Sequence, residues 1–234
     1  MSTIPENLQA VQRSIAIAAQ NVSRELHEIK LLAVSKTFGP EAVIEAAQAG
    51  QQAFGENYLQ EALEKMAAVQ AAAPDLNLEW HYIGPIQSNK TRAIAEHFDW
   101  VHSVDREKIA QRLSEQRPAH LPPLNICLQV NISGEASKSG VTPEQVLQLA
   151  KAVVALPHLK LRGLMAIPEP AETFAQQRSP FARLRALREQ LCEQGIALDT
   201  LSMGMSADME AAIAEGATIV RIGTAIFGQR DYAK

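Results

Sequence analysis

Eight short runs of β-branched and apolar residues punctuate this chain, and alanine-rich stretches of helical periodicity lie between consecutive runs. The runs fall at 30–35, 52–56, 79–84, 99–104, 124–131, 159–167, 198–204 and 217–223. Alternation of this kind forces parallel pairing, because each intervening helix carries the chain back by a right-handed crossover. Eight such units can close into a (β/α)8 TIM barrel, which leaves no exposed sheet edge. An open, doubly wound sheet is the competing arrangement. An amphipathic segment at 6–25 precedes the first run and predicts an extra N-terminal helix, and 234 residues suit a single barrel domain spanning 1–234.

Helices are expected to begin near Pro40, Asn57, Ser88, Asp105, Thr142, Phe174 and Ser206. Thr142 followed by Pro143 reads as an N-cap followed by a first helical turn, and Ser206 reads as the cap of the helix after the seventh run. Gly50, Gly195 and Gly216 fall where helices should stop.

Charge and cysteine content narrow the function classes. With 22 basic and 26 acidic side chains the formal charge is −4, so no global positive field draws the chain to nucleic acid or to an anionic membrane. No apolar run reaches membrane-spanning length, and the opening MSTIPENLQAVQRSIAIAAQ lacks the basic and cleavage regions of a signal peptide, so a cytoplasmic location is expected. Cys127 and Cys192 show no metal-ligand spacing; reduced thiols and no metal are expected.

In a barrel of parallel strands the loops that follow the strands gather at one face and build the site. Those positions are Lys36, Asn57, Asp105, Asn131, Lys138, Met165, Ser202, Gly204, Ser206, Arg221, Gly223 and Thr224. The late members resemble an anion cradle, with Gly204 and Ser206 after the seventh run and Gly223 and Thr224 after the eighth, where helix dipoles favour negative charge. Ordinary turns and caps are the plainer reading of either loop alone. Lys36 ends the apolar run LLAVSK. Its plainer reading is a solvated lysine at a loop start. A lysine amine must be neutral to attack an aldehyde, and a reference pKa of about 10.4 leaves fewer than about one in a thousand neutral at pH 7. Barrel walls and a nearby cation such as Arg221 supply the means to lower it.

The segments LLAVSKT, FGENYLQEA, EWHYIGPIQSNK, NISGEASKSG, RGLMAIP, LSMGMSADMEAAI and VRIGTAIFG occur in this order, and with them nearly the whole chain resembles the pyridoxal phosphate homeostasis family, whose fold is like the barrel domain of alanine racemase. The resemblance implies that pyridoxal 5′-phosphate (PLP) is held as a Schiff base on Lys36. It implies that Ser206, Gly223 and Thr224 bind the phosphate, that Asn57 lines the pocket and that Arg221 lies near the pyridine nitrogen; Ser202 and Gly204 complete the expected cofactor-binding set. An arginine there cannot give up its proton and disfavours the pyridinium form, which makes the ring a weak electron sink. Alanine racemase brings a catalytic tyrosine from a second domain, whereas the tyrosines here are Tyr58, Tyr82 and Tyr232, all within the barrel sequence. The implied function is PLP binding in intracellular vitamin B6 homeostasis without efficient turnover, as a monomer, with PLP-dependent apoenzymes as possible recipients. A small PLP enzyme such as an amino-acid racemase is the alternative.

Other features carry less. The stretch 134–139 lacks the second glycine of a nucleotide loop, and Lys138 within it is either a transient PLP acceptor or a solvated loop lysine. His81 reads equally as a pocket residue and as a structural histidine, and Arg178, Arg183, Arg185 and Arg188 read as a solvated helix face.

Overall fold

The computed structural model describes residues 3–134 and 139–229. Its strands hydrogen-bond in chain order into a closed parallel barrel: β1 (Lys30–Val34), β2 (Ala53–Glu56), β3 (Glu79–Tyr82), β4 (Trp100–Val104), β5 (Leu124–Gln129), β6 (Leu159–Met165), β7 (Thr200–Ser202) and β8 (Ile219–Ile222). Each lies within the run expected for it. The last strand returns to the first in the register Lys30↔Ile219 and Leu32↔Arg221, which decides for the barrel against an open sheet.

Helices α1 (Ile4–Asn21), α2 (Pro40–Gln48), α3 (Leu59–Ala72), α4 (Thr91–His97), α5 (Glu107–Gln116), α6 (Val146–Val154), α7 (Phe174–Glu193), α8 (Met209–Ala214) and α9 (Thr224–Phe227) surround it. The extra helix α1 starts at a capping box formed by Thr3 and Glu6 and buries Leu8, Val11, Ile15, Ala18 and Ala19, spaced three or four residues apart along most of one stripe. It docks on α9 through Asn7 Nδ2, which donates to Ile226 O at 2.9 Å. It ends earlier than expected because Ser23 turns to φ 55°, letting the Arg24 guanidinium donate to Ile213 O and Ala217 O.

Gly50, Gly195 and Gly216 stop α2, α7 and α8 with φ of 100°, 85° and 91°. Two expected helix starts are corrected. Thr142 does not cap α6: Val141 is held in a bridge to Val130, and Gln145 N–H closes a turn onto Thr142 O before the helix begins at Val146. Nor does Ser206 cap α8, because the Asp208 carboxylate takes the Met205 N–H at 2.6 Å and closes a turn ahead of Met209.

Most of the apolar core lies between strands and helices. Inside the barrel the apolar set is small, Leu32, Ala53, Trp100, Cys127, Met165 and Ile219 with Ile83 against them. The remaining interior is polar: His81, His102, Ser202 and Arg221 are all buried. Barrels of this type are usually filled by branched apolar side chains, so this departure marks where packing was subordinated to something else.

Candidate functional site

A cavity of about 300 Å³ opens at the face where the strands end, lined by Lys36, Asn57, Ser206, Arg221, Gly223 and Thr224 with walls from Val34, Ile83, Ile167, Met205 and Ala207. Six of the expected cofactor-binding residues thus share one space, from loops after β1, β2, β7 and β8 and from β8 itself. The volume sits at the lower end of small-ligand pockets, about 300–1,000 Å³. An adjoining cavity of about 320 Å³ shares Asn57, Ile83 and Ile167 and continues to Asn131 and Ser139. Lys138 falls outside the described residues.

Both neighbours of Lys36 are clamped. The Ser35 hydroxyl donates to Glu56 Oε1 at 2.6 Å, and the Thr37 N–H donates to Glu61 Oε1 at 2.6 Å. Lys65, reaching up from α3, gathers the set by donating to Ser35 O, Glu56 Oε1 and Glu61 Oε1 at 2.8, 2.6 and 3.0 Å. Burial pushes the Glu56 carboxyl up, and the Lys65 charge and hydrogen bond pull it back. Thr37 is held at φ 70°, a left-handed conformation that a β-branched residue adopts only under constraint. The clamp supplies that constraint, and Lys36 is aimed by it.

Asn57 presents a buried Oδ1 with no hydrogen-bond partner among the described residues. A buried acceptor without a partner is costly, and this one lines the cavity, so it fits a ligand that completes its bonding. Its backbone is braced by Gly84, where an added Cβ would run into Asn57 O.

Arg221 forms the floor. Its Nη1 donates to Ser202 Oγ at 2.8 Å and its Nη2 to Ala166 O at 3.0 Å. Burial lowers its pKa to about 10, which still leaves the guanidinium charged at neutral pH. Ser202 lies beneath it, fully buried, its hydroxyl bonded to His102 Nδ1 at 2.7 Å, and is not a wall of the cavity. Gly204 is likewise set back; with φ 95°, its missing side chain lets Ala212 of α8 approach, where a Cβ would stand 2.5 Å from the Ala212 Cβ. The expected helix dipoles are corrected too, since α8 and α9 have only six and four residues. The residues that the cavity sets before an anion are Ser206, Thr224 and the backbone of Gly223, with the charge of Arg221 beside them.

The alanine racemase N-terminal domain model matches residues 7–231. A pyridoxal phosphate homeostasis protein of Pseudomonas aeruginosa is 66% identical over 232 residues, 99% of this chain and 98% of that protein. The chain belongs to this family. The solved structure of PipY from Synechococcus elongatus PCC7942 with PLP bound is 39% identical, with a TM-score of 0.78 over 92% of this chain and all of that one. Alanine racemase of Clostridium difficile shares the fold at 15% identity and a TM-score of 0.71; this chain covers 57% of its length.

Reasoning from sequence missed the Lys65 clamp and His102. Arg178 is exposed and Arg185 partly exposed, as a solvated face requires, and in addition both pair with buried Glu215, at 2.5 and 2.9 Å, and tie α7 to the end of α8.

Proposed function

We propose that this chain is a PLP-holding barrel, one domain over 1–234, that binds the cofactor on Lys36 and serves vitamin B6 homeostasis in the cytoplasm without efficient turnover. The observation that carries the reading is the meeting of Lys36, Arg221 and the unpartnered Asn57 Oδ1 in one cavity of about 300 Å³. Support comes from the relatives, named pyridoxal phosphate homeostasis proteins at 66% and 55% identity, and from PipY, whose structure holds PLP.

When bound, PLP supplies an aldehyde that a neutral lysine amine captures as a Schiff base. The chain's own residues do the rest. The clamp on Ser35 and Thr37 orients Lys36, and Arg221 offers N–H to the ring nitrogen and withholds a proton from it. Ser206 and Thr224 hydroxyls with the Gly223 backbone hold the phosphate, and Asn57 meets the polar edge of the ring. Ser202 acts through Arg221, and Gly204 through the seating of α8.

Racemase chemistry needs a second base opposite the lysine. Of the tyrosines described, Tyr82 donates its hydroxyl to Pro85 O and Tyr58 is exposed, which favours the carrier. As a carrier, the protein would work as a monomer and release PLP to apoenzymes. Borohydride reduction of PLP-loaded protein followed by peptide mapping tests the attachment: label on Lys36, lost in Lys36→Ala, is expected. Label elsewhere overturns it, and a sustained Lys36-dependent racemase rate overturns the carrier assignment.

A further inference from the structure

Polar side chains run end to end through the barrel interior, from Arg221 at the cofactor face to Glu79 at the opposite face. Arg221 Nη1, Ser202 Oγ, His102, His81 and Glu79 Oε1 are joined by contacts of 2.8, 2.7, 2.8 and 2.6 Å. Ser202, His102 and His81 have no exposed surface, so no water competes for these bonds.

We propose that Ser202, His102, His81 and Glu79 form a one-way hydrogen-bond relay that locks Arg221 as a donor toward the PLP ring nitrogen, making them positioning residues for a group they do not touch. This rests on the reading of the site given above.

The two ends dictate the direction. A guanidinium only donates and a carboxylate only accepts. Arg221 Nη1–H therefore donates to Ser202 Oγ, whose own proton goes to His102 Nδ1. His102 must then carry its hydrogen on Nε2 and give it to His81 Nδ1, and His81 gives its Nε2–H to Glu79. Each imidazole is neutral and in a single tautomer. A second proton on His81 would set two hydrogens against each other between the rings, and one on His102 would leave the Ser202 proton without an acceptor. Burial lowers the pKa of both histidines, which agrees with this assignment. Burial works to raise the Glu79 carboxyl, but hydrogen bonds from His81 and Lys30 overcome it and hold it below its ordinary value, so the accepting end stays charged. Lys30 Nζ lies 2.6 Å from Glu79, and Trp100 stacks on His81 at 5.3 Å, fixing the ring plane.

With its Nη1 and Nη2 committed to Ser202 and Ala166, Arg221 cannot swing away from the ring. His102→Leu removes the acceptor for the Ser202 proton and should loosen PLP binding about tenfold, the change expected from weakening one charge-assisted hydrogen bond. It should also move the midpoint of the pH titration of the bound cofactor's visible band. His102→Asn, whose carboxamide oxygen stands in for Nδ1, should restore both, and Ser202→Ala should reproduce the loss if His102→Leu does not fold. Variants that melt earlier but keep wild-type affinity and titration would overturn the relay and leave the site reading standing. Nitrogen NMR of the unloaded protein provides a readout independent of the cofactor: Nε2–H tautomers on both histidines between about pH 5 and 8 support the relay, and an Nδ1–H or a charged ring refutes it. Wild-type protein whose Lys36 takes no label on borohydride reduction would instead sink the site reading, and the inference with it.

Discussion

Lys65→Met isolates the clamp behind Lys36. The lysine side chain is 2% exposed and its partner Glu56 0%, so the substitution leaves a carboxylate inside the protein with only Ser35 to bond it. Glu56 has no reserve, since its Oε2 already lacks a partner among the described residues. Removing one member of a buried pair costs about 3–5 kcal/mol, a large share of the roughly 5–15 kcal/mol that stabilises a domain. At about 2–4 °C per kcal/mol for a chain of this size, the melting temperature should fall by about 6–20 °C.

The pH dependence of that loss is diagnostic. Burial already holds the Glu56 carboxyl above its ordinary 4.5, and without Lys65 it rises further. A carboxyl whose folded pKa lies above the unfolded one subtracts stability as pH climbs past the unfolded value, so the deficit should be full at neutral pH and shrink as pH falls toward 4.5. Thermal melts of wild type and variant over that range provide the assay. Adding Glu56→Gln should recover most of the loss, because no charge is then stranded. A variant that melts with wild type, or a deficit that grows in acid, would refute the reasoning.

Gly84→Ala drives a Cβ into the backbone of Asn57, with the Asn57 carbonyl carbon 2.8 Å away; a loss of about 1–3 kcal/mol and weaker PLP binding are expected, read by melts and titration, and unchanged binding would show that the contact relaxes. Asn7→Ala removes the bond from α1 to Ile226 O and should lower stability by about 0.5–1.5 kcal/mol in a denaturant titration, with a parallel weakening of PLP through the loop carrying Thr224. A thiol reagent should modify Cys192 in the native protein and reach Cys127 only after unfolding, since Cys127 is buried and its pKa is pushed up to about 12; reaction of both thiols under native conditions would contradict the packing of the barrel interior.

The strands were legible because burial on both faces writes itself locally, as in LLAV and NICL, where nearly every residue has an apolar surface to cover. Helix starts were less so. In SMGMSADMEAA both Ser206 and Asp208 have capping side chains, and what chose between them was the reach of the Asp208 carboxylate to Met205 N, a loop geometry that one-dimensional spacing does not encode. Lys36 was legible as the residue ending an apolar strand. Its clamp was not, because Glu61 and Lys65 stand four apart on α3 and look like a solvated helix pair until Glu56 and Ser35 are brought beneath them.

The relay lay deeper still, since His81 and His102 are 21 residues apart and meet only once β3 and β4 pair. A local trace exists: Glu79 and His81 alternate on one face of a short strand, and His102 follows Trp100 in the same phase. Stability alone would have filled these inward positions with valine, isoleucine or leucine. Polar groups there are tolerable only if every one is satisfied, and the sequence of bonds that satisfies them has a single consistent direction, set by the carboxylate at one end and in keeping with the cation at the other. A column placed for packing would need no charged end; this one starts at the Glu79 carboxylate and ends on Ser202 Oγ, the acceptor it presents to Arg221.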